Sequence, residues 1–365
     1  MSGRGADGPL EAAARLAFDR LVEAARGDPA KLAALANLAL ANGPSEAAYP
    51  LARDARALAP DDPDIRSRTE LAFGHSVPRW HFGIVRDSRR NAAYQAALER
   101  AVAPSSRVLD IGSGTGLLAL MAARAGAASV TSCESNPAVA EAAAEIVALN
   151  GCSDRVRIVA RHSAGLDAER DMGGAADVIV SEIVSSDMLG QKVLEVMEDC
   201  VARLLAPGGR VIPARGRVRA ALAFWSGLDE RRLGAVEGFD LSPFNRLEAS
   251  PLPLKPGDPR LALRSEPVDL FDFDFASGGP FRPGKSKADV AAFGGAVNGI
   301  AQWIRLEMDE AVSYENAPGP DETSCWNVLF YTLEQAVELA EGLPVRICAA
   351  HGPDWLRLWL GRGQG

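Results

Sequence analysis

The sequence predicts an α/β protein in three parts: a front of α-helical repeats, a Rossmann-like parallel sheet and a closing β-barrel. Three observations carry this. Val108-Leu-Asp-Ile-Gly-Ser-Gly-Thr-Gly-Leu117 is a buried-strand pattern that runs straight into three alternating glycines. Ala-rich helical periodicity fills the first 75 residues, and short, Pro-punctuated alternating strands follow Arg215. A length of 365 residues accommodates two or three units. Their bounds are placed at 1–75, 76–213 and 214–365.

In the front segment, helical patterns cover about Leu10 to Arg26, Pro29 to Ala41, Ser45 to Leu58 and Asp62 to Phe73. Breaks fall at Gly27-Asp-Pro, Asn42-Gly-Pro and Pro60-Asp-Asp-Pro. The stretch Ala57-Leu-Ala-Pro-Asp-Asp-Pro63 resembles the close of a tetratricopeptide repeat, and the spacing allows about two repeats, fewer than a free-standing solenoid needs. Peptide docking and a mere packing or dimer-supporting cap both remain open for it. From Trp80 to Tyr94 a single helix is predicted, with Asp87, Arg90, Asn91 and Tyr94 at three-to-four spacing on one face. Arg90 there is a permanent cation suited to a carboxylate.

A strand that ends in close-packed glycines lets the backbone approach a ligand, and the unpaired N–H groups of the next helix point at it. This is the pattern of a nucleotide cofactor site. The dinucleotide fingerprint requires G-x-G-x-x-G, whereas Gly112, Gly114 and Gly116 alternate and Leu117 stands where the third glycine would fall. Glu134 closes the second strand, Val130-Thr-Ser-Cys-Glu134; a helix from Pro137 to Asn150 and a third strand, Val156-Arg-Ile-Val159, follow. After the loop Arg161-His162-Ser163 comes the fourth strand, Asp177-Val-Ile-Val-Ser-Glu182, which delivers Glu182 to the carboxyl edge where open α/β sheets bind ligands. A Pro207-Gly-Gly-Arg210 turn and Val211-Ile-Pro213 close the domain.

Composition narrows the function classes. The net charge of −9 argues against a nucleic-acid binder, which needs clustered Lys and Arg, and makes a cationic substrate electrostatically easier. No apolar run approaches bilayer length, so no membrane partner is expected. Met1 to Leu10 holds no apolar core like that of a signal peptide, and a cytoplasmic location is the expectation. Cys133, Cys152, Cys200, Cys325 and Cys348 show no paired spacing, so neither a disulfide frame nor a zinc site is indicated. His75 and His351 lack neighbours at ligand spacing, and no metal is assigned. Trp303 reads as barrel core.

The set Asp110, Gly112, Gly114, Gly116 and Glu134 resembles the S-adenosylmethionine site of class I methyltransferases. There the acid matching Asp110 lies near the methionine amino group, and the one matching Glu134 holds both ribose hydroxyls. Trp80-His-Phe-Gly-Ile-Val-Arg-Asp-Ser-Arg-Arg-Asn-Ala-Ala-Tyr94 looks like the cofactor-covering helix of protein arginine methyltransferases, in the branch that reads Trp-His-Phe. The resemblance continues through Ser181-Glu182 and Ser324-Cys325-Trp326, covers nearly everything after the helical front, and extends to that front in one family subtype. It implies that Arg90 pairs with the methionine carboxylate with His81 nearby, that Tyr94 helps close the lid, and that His162 and Ser163 form the adenine-side loop. It also implies that about 227–247 is a dimerisation arm and the protein a homodimer.

The implied chemistry is an in-line displacement, in which a guanidino nitrogen takes a methyl group from a sulfonium. A guanidinium is a poor nucleophile until its delocalised charge is localised, and the family does this with two carboxylates on one loop. Glu182 matches the first; the second falls on Gln191, an amide without charge. Asp187 and Glu195 are the nearby acids in sequence and the candidates to replace it. The family's Thr-His-Trp reads Ser324-Cys325-Trp326, so the histidine that pairs with the carboxylate matching Asp87 is lost, and a neutral thiol cannot replace that ion pair. Cys325 itself reads as a small packed hydrophobe rather than a nucleophile. Ile84 stands where a methionine crowds the target nitrogen, which leaves the number of methyl groups open.

The resemblance thus assigns catalysis to Glu182, Gln191 and Asp87, and acceptor contacts to Glu182, Gln191, Tyr94 and Trp326. The leading expectation is an arginine N-methyltransferase acting on a protein or peptide. The alternatives are methylation of free arginine or another small guanidino or amine compound, and a catalytically weak cofactor-binding scaffold.

Overall fold

Alanine and two aspartates build the front of the chain. In this computed structural model, which describes residues 9–320 and 322–361, Asp28 and Asp62 each sit just before a proline and accept two backbone N–H groups. Those caps start α2 (Pro29–Asn42) and α4 (Pro63–Ser76), with proline at the position that has no N–H to lose. Together with α1 (Pro9–Ala24) and α3 (Ala48–Leu58) they pack through small side chains, among them Ala33, Ala36, Ala52 and Ala55, around Leu32, Leu51 and Ile65. The third helix begins later than its pattern because Ser45–Ala47 forms a tight 3₁₀ turn. This first compact unit comprises Met1–His81 and Asn136–Ala142, and the second Phe82–Ser135 and Ala143–Gly365. Within the first, Tyr49 Oη and Arg53 Nη1 each reach Glu141 Oε2 at 3.2 Å, and Asn136 Nδ2 donates to Ser76 O at 2.6 Å. Residues 1–8, which hold most of the Met1 to Leu10 stretch, lie outside the described residues.

The predicted helix from Trp80 to Tyr94 is two helices. α5 (Trp80–Ile84) ends early, and Asp87 caps α6 (Ser88–Ala101) by accepting the Arg90 N–H at 2.9 Å. The reason is local: a short acidic side chain competes for backbone N–H groups and favours a helix start over a helix interior.

The second unit contains a five-stranded parallel sheet made of β1 (Arg107–Ile111), β2 (Ser129–Cys133), β3 (Val156–Val159), β4 (Ala176–Ser181) and β5 (Leu205–Ile212). Its helices are α7 (Leu117–Arg124), α8 (Pro137–Leu149), shared with the first unit, α9 (Ala168–Met172) and α10 (Val193–Leu204). The order β3-β2-β1-β4-β5 reverses direction between β1 and β4, which opens a crevice at their carboxyl ends. Leu109, Ile179 and Val180 are fully buried, as strands covered on both faces demand. The expected Pro207–Arg210 turn is instead part of β5, where Gly208 at φ 75° absorbs a register shift opposite β4.

Antiparallel strands follow: β6 (Arg215–Trp225), β7 (Ala235–Val236), β8 (Phe239–Asp240), β9 (Leu252–Leu254), β10 (Leu261–Leu263), β11 (Val268–Asp274), β12 (Gly284–Ala291), β13 (Gly295–Glu307), β14 (Ser313–Glu315), β15 (Val328–Leu339), β16 (Pro344–His351) and β17 (Leu356–Leu360). β10-β6-β13-β15-β9 form the main sheet, with β11 beside β6 and β14 beside β13, and β12-β16-β17 form another. Trp303 is wholly buried, with its indole N–H 2.6 Å from Glu315 Oε1. His351 is a core residue, with Nδ1 3.0 Å from Gly352 O and its ring edge-on to Phe271 and Phe273. Within 227–247, which holds α11 (Gly227–Arg231) and the β7–β8 hairpin, Val236, Phe239, Leu241, Phe244 and Leu247 are exposed. Among the described residues no helix is long and apolar enough to cross a membrane.

Candidate active site

The crevice is built first by glycine. At the end of β1 the chain turns through Gly112 at φ 85°, where a Cβ would fall 2.7 Å from Ile183 Cγ2, and Gly114 at φ 51°. Both conformations disfavour L side chains, and their absence brings the backbone close to any ligand at the start of α7. The Gly114 N–H lies 3.2 Å from Glu134 Oε2, so the carboxylate just past β2 is placed beside the turn. His162 Nδ1 accepts the Ala164 N–H at 3.2 Å and Ser163 is buried, both just past β3. His81 belongs to the first unit, where its ring stacks on Trp80 with centroids 3.7 Å apart.

Asp110 is wholly buried on β1. Parallel register sets it opposite Ser132, whose hydroxyl donates to Oδ2 at 2.7 Å, while Ser113 Oγ lies 2.6 Å from Ser132 Oγ. Burial pushes the Asp110 carboxyl up to about 7 against the pull of Ser132. Its Oδ1 has no partner. A buried carboxylate oxygen left unpaired carries a desolvation cost that a ligand cation would relieve. Sequence reasoning overlooked Ser132, although its place two residues before Glu134 on an adjacent parallel strand was the available signal.

Facing this is a buried ion pair. Arg90, 3% exposed, donates through Nη2 to Glu182 Oε2 at 2.6 Å and through Nη1 to Asn91 Oδ1 at 2.7 Å. Tyr94 is fully buried beneath it, its hydroxyl donating to Ser181 O at 2.9 Å. Burial lifts the Glu182 carboxyl to about 7 even with Arg90 beside it. Burial is the largest influence and opposes the Arg90 charge, but Glu182, Tyr94 and Cys325 together outweigh it and the guanidinium is held protonated. Arg90 Nε and Glu182 Oε1 are both buried without partners. The arrangement therefore offers an anionic oxygen at Asp110 for an ammonium and a donor at Arg90 for a carboxylate, the two ends of an α-amino acid. It leaves one lone pair at Glu182 for a second cation.

The loop after β4 is strained, with Met188, Gln191 and Lys192 all at positive φ. Gln191 is exposed at φ 56°. Asp187 folds back on its own loop, accepting the Ser185 hydroxyl and the Leu189 N–H, and the exposed Glu195 lies 3.8 Å from Lys192 Nζ. The segment from Ser324 to Asn327 knits the site together. The Trp326 indole donates to Val184 O at 3.1 Å, the Asn327 N–H to Ser186 Oγ at 3.0 Å, and the Cys325 N–H to Asp87 Oδ2 at 3.0 Å. Tyr314 donates its hydroxyl to the same Asp87 oxygen at 2.5 Å, with Ser324 Oγ 2.7 Å from the phenol oxygen. Sequence reasoning did not find Tyr314, because its contact with Asp87 spans 227 residues and follows no local period.

Comparison with known proteins adds to this geometry. A family model described as ribosomal protein L11 methyltransferase (PrmA) matches residues 94–214. An arginine N(omega)-methyltransferase of Streptomyces achromogenes subsp. streptozoticus is 35% identical over 327 residues, covering 87% of this chain and 88% of that protein. Protein arginine N-methyltransferase 7 of Oryza sativa subsp. japonica is 33% identical over 268 residues, covering 65% of this chain and 36% of that protein. In fold, the Trypanosoma brucei PRMT1 enzyme-prozyme heterotetrameric complex with AdoHcy superposes with a TM-score of 0.66 at 22% identity, over 76% of this chain and 88% of that one.

Proposed function

Since the chain belongs to the arginine N-methyltransferase family, which methylates arginine at the expense of S-adenosylmethionine, we propose that its own acceptor is free arginine. The observation that carries this is the extent of the match. The Streptomyces arginine N(omega)-methyltransferase is covered to 88% of its length, whereas the rice protein arginine N-methyltransferase 7 is covered to 36%. The acceptor loop supports it: Gln191 carries no charge and is turned to the surface. A protein or peptide acceptor, presented by the helical front, is the second reading.

The residues present fit the cofactor. Asp110 Oδ1 would take its ammonium, Arg90 its carboxylate, Glu134 its ribose hydroxyls and the His162-Ser163 loop its adenine side, with the Gly112–Gly114 turn allowing close approach. The group supplies an electrophilic methyl on a positively charged sulfur. Glu182 would orient the acceptor: its Oε2 is pinned by Arg90, and its unpaired Oε1 would accept a guanidino N–H and hold the acceptor for transfer. Tyr94 anchors this by tying α6 to the backbone just before Glu182. The exposed apolar side chains of 227–247 are read as a homodimer surface, which sedimentation of a Phe239→Ser/Phe244→Ser variant tests.

The deciding experiment offers free arginine and an Arg-Gly-rich peptide in parallel with labelled S-adenosylmethionine and detects methylated product by mass spectrometry. Methylarginine from the free amino acid supports the proposal, and turnover of the peptide alone overturns it. Tight cofactor binding without turnover of either would favour a scaffold.

A further inference from the structure

A guanidinium held by a single carboxylate keeps most of its charge spread over three nitrogens, and the loop that should bring a second anion does not. Gln191 is neutral and exposed, Asp187 is spent on its own loop, and Glu195 lies beside Lys192 in solvent. Another carboxylate does stand at this site. Asp87 and Glu182 both hold Arg90, one through the backbone N–H at 2.9 Å and the other through Nη2 at 2.6 Å. The segment Ser324–Asn327 is bonded to both sides, to Asp87 through the Cys325 N–H and to the Glu182 loop through Trp326 and Asn327.

We propose that Asp87 supplies the second negative charge acting on the acceptor guanidinium, and that Tyr314 is the positioning residue that clamps its carboxylate. The proposal rests on the arginine-methylating reading of the Glu182 site and not on whether the arginine is free or peptide-borne.

What sets Asp87 apart is the nature of its partners. Its hydrogen-bond donors are the Arg90 N–H, the Cys325 N–H and the Tyr314 hydroxyl, all neutral. A cation at position 325 would cancel the charge, whereas neutral donors hold the anion in place and leave its field intact. Burial works against the charge, yet these bonds, with the neutral Cys325 thiol beside them, hold the carboxyl below the usual aspartate range. Its field is felt at Glu182, where Asp87 is one of the groups that raise the carboxyl. The charged and titratable groups around Asp87 and Glu182 are Arg90 and Tyr94 on α6, Asp110 on β1, Cys325 in its loop, Tyr314 on β14 and, outside Tyr314, Arg89 with its ion partner Glu322. The thiol of Cys325 is pushed well above its ordinary range, first by burial and then by Glu182 and Asp87, so it contributes no charge of its own.

The test uses Asp87→Asn, which keeps a good helix cap and removes the charge. Turnover is measured with free arginine and with the peptide, and S-adenosylhomocysteine affinity by calorimetry. Asp87→Asn is expected to lower kcat by about a hundred-fold, the scale of losing one preorganised electrostatic contact, with cofactor affinity within about three-fold. Tyr314→Phe is expected to lower kcat by about ten-fold with little change in KM, and to cost nothing further in the Asp87→Asn background. A kcat for Asp87→Asn within about three-fold of the unsubstituted protein overturns the role of Asp87, as does a loss confined to cofactor affinity. Equal effects of Tyr314→Phe in both backgrounds reduce Tyr314 to packing. If the unsubstituted protein turns over neither substrate, the arginine-methylating reading and this proposal fall together, an outcome distinct from an active protein indifferent to Asp87→Asn.

Discussion

Replacing Glu182 by Gln tests the centre of the site. The glutamine keeps the shape of the side chain and an oxygen for Arg90 Nη2, which now sits 2.6 Å from Oε2, but removes the charge. Because the Glu182 and Arg90 side chains are only 6% and 4% exposed, solvent does little to replace what is lost. Weakening one charged hydrogen bond costs about 1.5–3 kcal/mol, but burial, which lifts the Glu182 carboxyl to about 7, already penalises the charge that Gln removes, so the net loss of stability is smaller. That lies below the roughly 3–5 kcal/mol of breaking a buried pair outright, since the amide oxygen still accepts. In catalysis the loss is of a preorganised anion at the acceptor, about 2.7–4 kcal/mol or 10²–10³ in kcat. Asp110, Glu134 and the glycine turn are untouched, so S-adenosylhomocysteine should bind within a few-fold. The assay is turnover by mass spectrometry, with calorimetry for the cofactor and a thermal melt for stability. A kcat within ten-fold of the parent, or a loss that follows cofactor affinity alone, would refute the assignment of Glu182 to the acceptor.

Three further outcomes follow from the same geometry. With its carboxyl lifted by burial to about 7, Asp110 presents an uncharged acid below that pH, so S-adenosylhomocysteine affinity should fall about ten-fold per pH unit once below it, and Asp110→Asn should flatten that dependence. The sign for stability runs the other way: the folded carboxyl is raised above its unfolded value, so this group's contribution is full below about pH 4 and is lost as pH rises through about 7, which melts of parent and Asp110→Asn across that range would compare. Ser132→Ala removes the donor that pulls Asp110 downward, and the affinity profile should move to higher pH; an unmoved profile in calorimetry would mean that Asp110 is not the group being titrated. Gly112→Ala adds a Cβ at φ 85° and 2.7 Å from Ile183 Cγ2, strain of about 1–2 kcal/mol before the clash is counted, and should weaken cofactor binding at least several-fold; unchanged affinity would show that the turn does not approach the cofactor.

Local pattern made most of the fold legible. The parallel sheet follows from strands too uniformly apolar to face water, and the front helices from alanine periodicity cut by Asp-Pro caps. Asp110, the alternating glycines, Glu134 and Glu182 could be placed at strand ends because a strand pattern states where it stops. The misreadings are of two kinds. Asp87 fits the face of a long helix by spacing but caps a new one, and Pro207–Arg210 has turn composition but lies within β5. In the first a side chain's own bond to the backbone three residues on outweighed the helical spacing, and in the second a neighbouring strand outside the local window decided the backbone.

The chain's own order of residues determined the α/β plan, the glycine approach at the end of β1 and the acids delivered to the sheet edge, because hydrophobic period and backbone permissiveness act over a few residues. Only tertiary structure decided what those acids meet. Arg90 pairs with Glu182 across 92 positions, and Tyr314 holds Asp87 across 227. Burial, which moves Asp110 and Glu182 to about 7, is set by every layer packed over them, and so is the absence of a partner at Asp110 Oδ1 and Glu182 Oε1. Charge and hydrogen bonding depend on distance in space, and distance along the chain carries no measure of it.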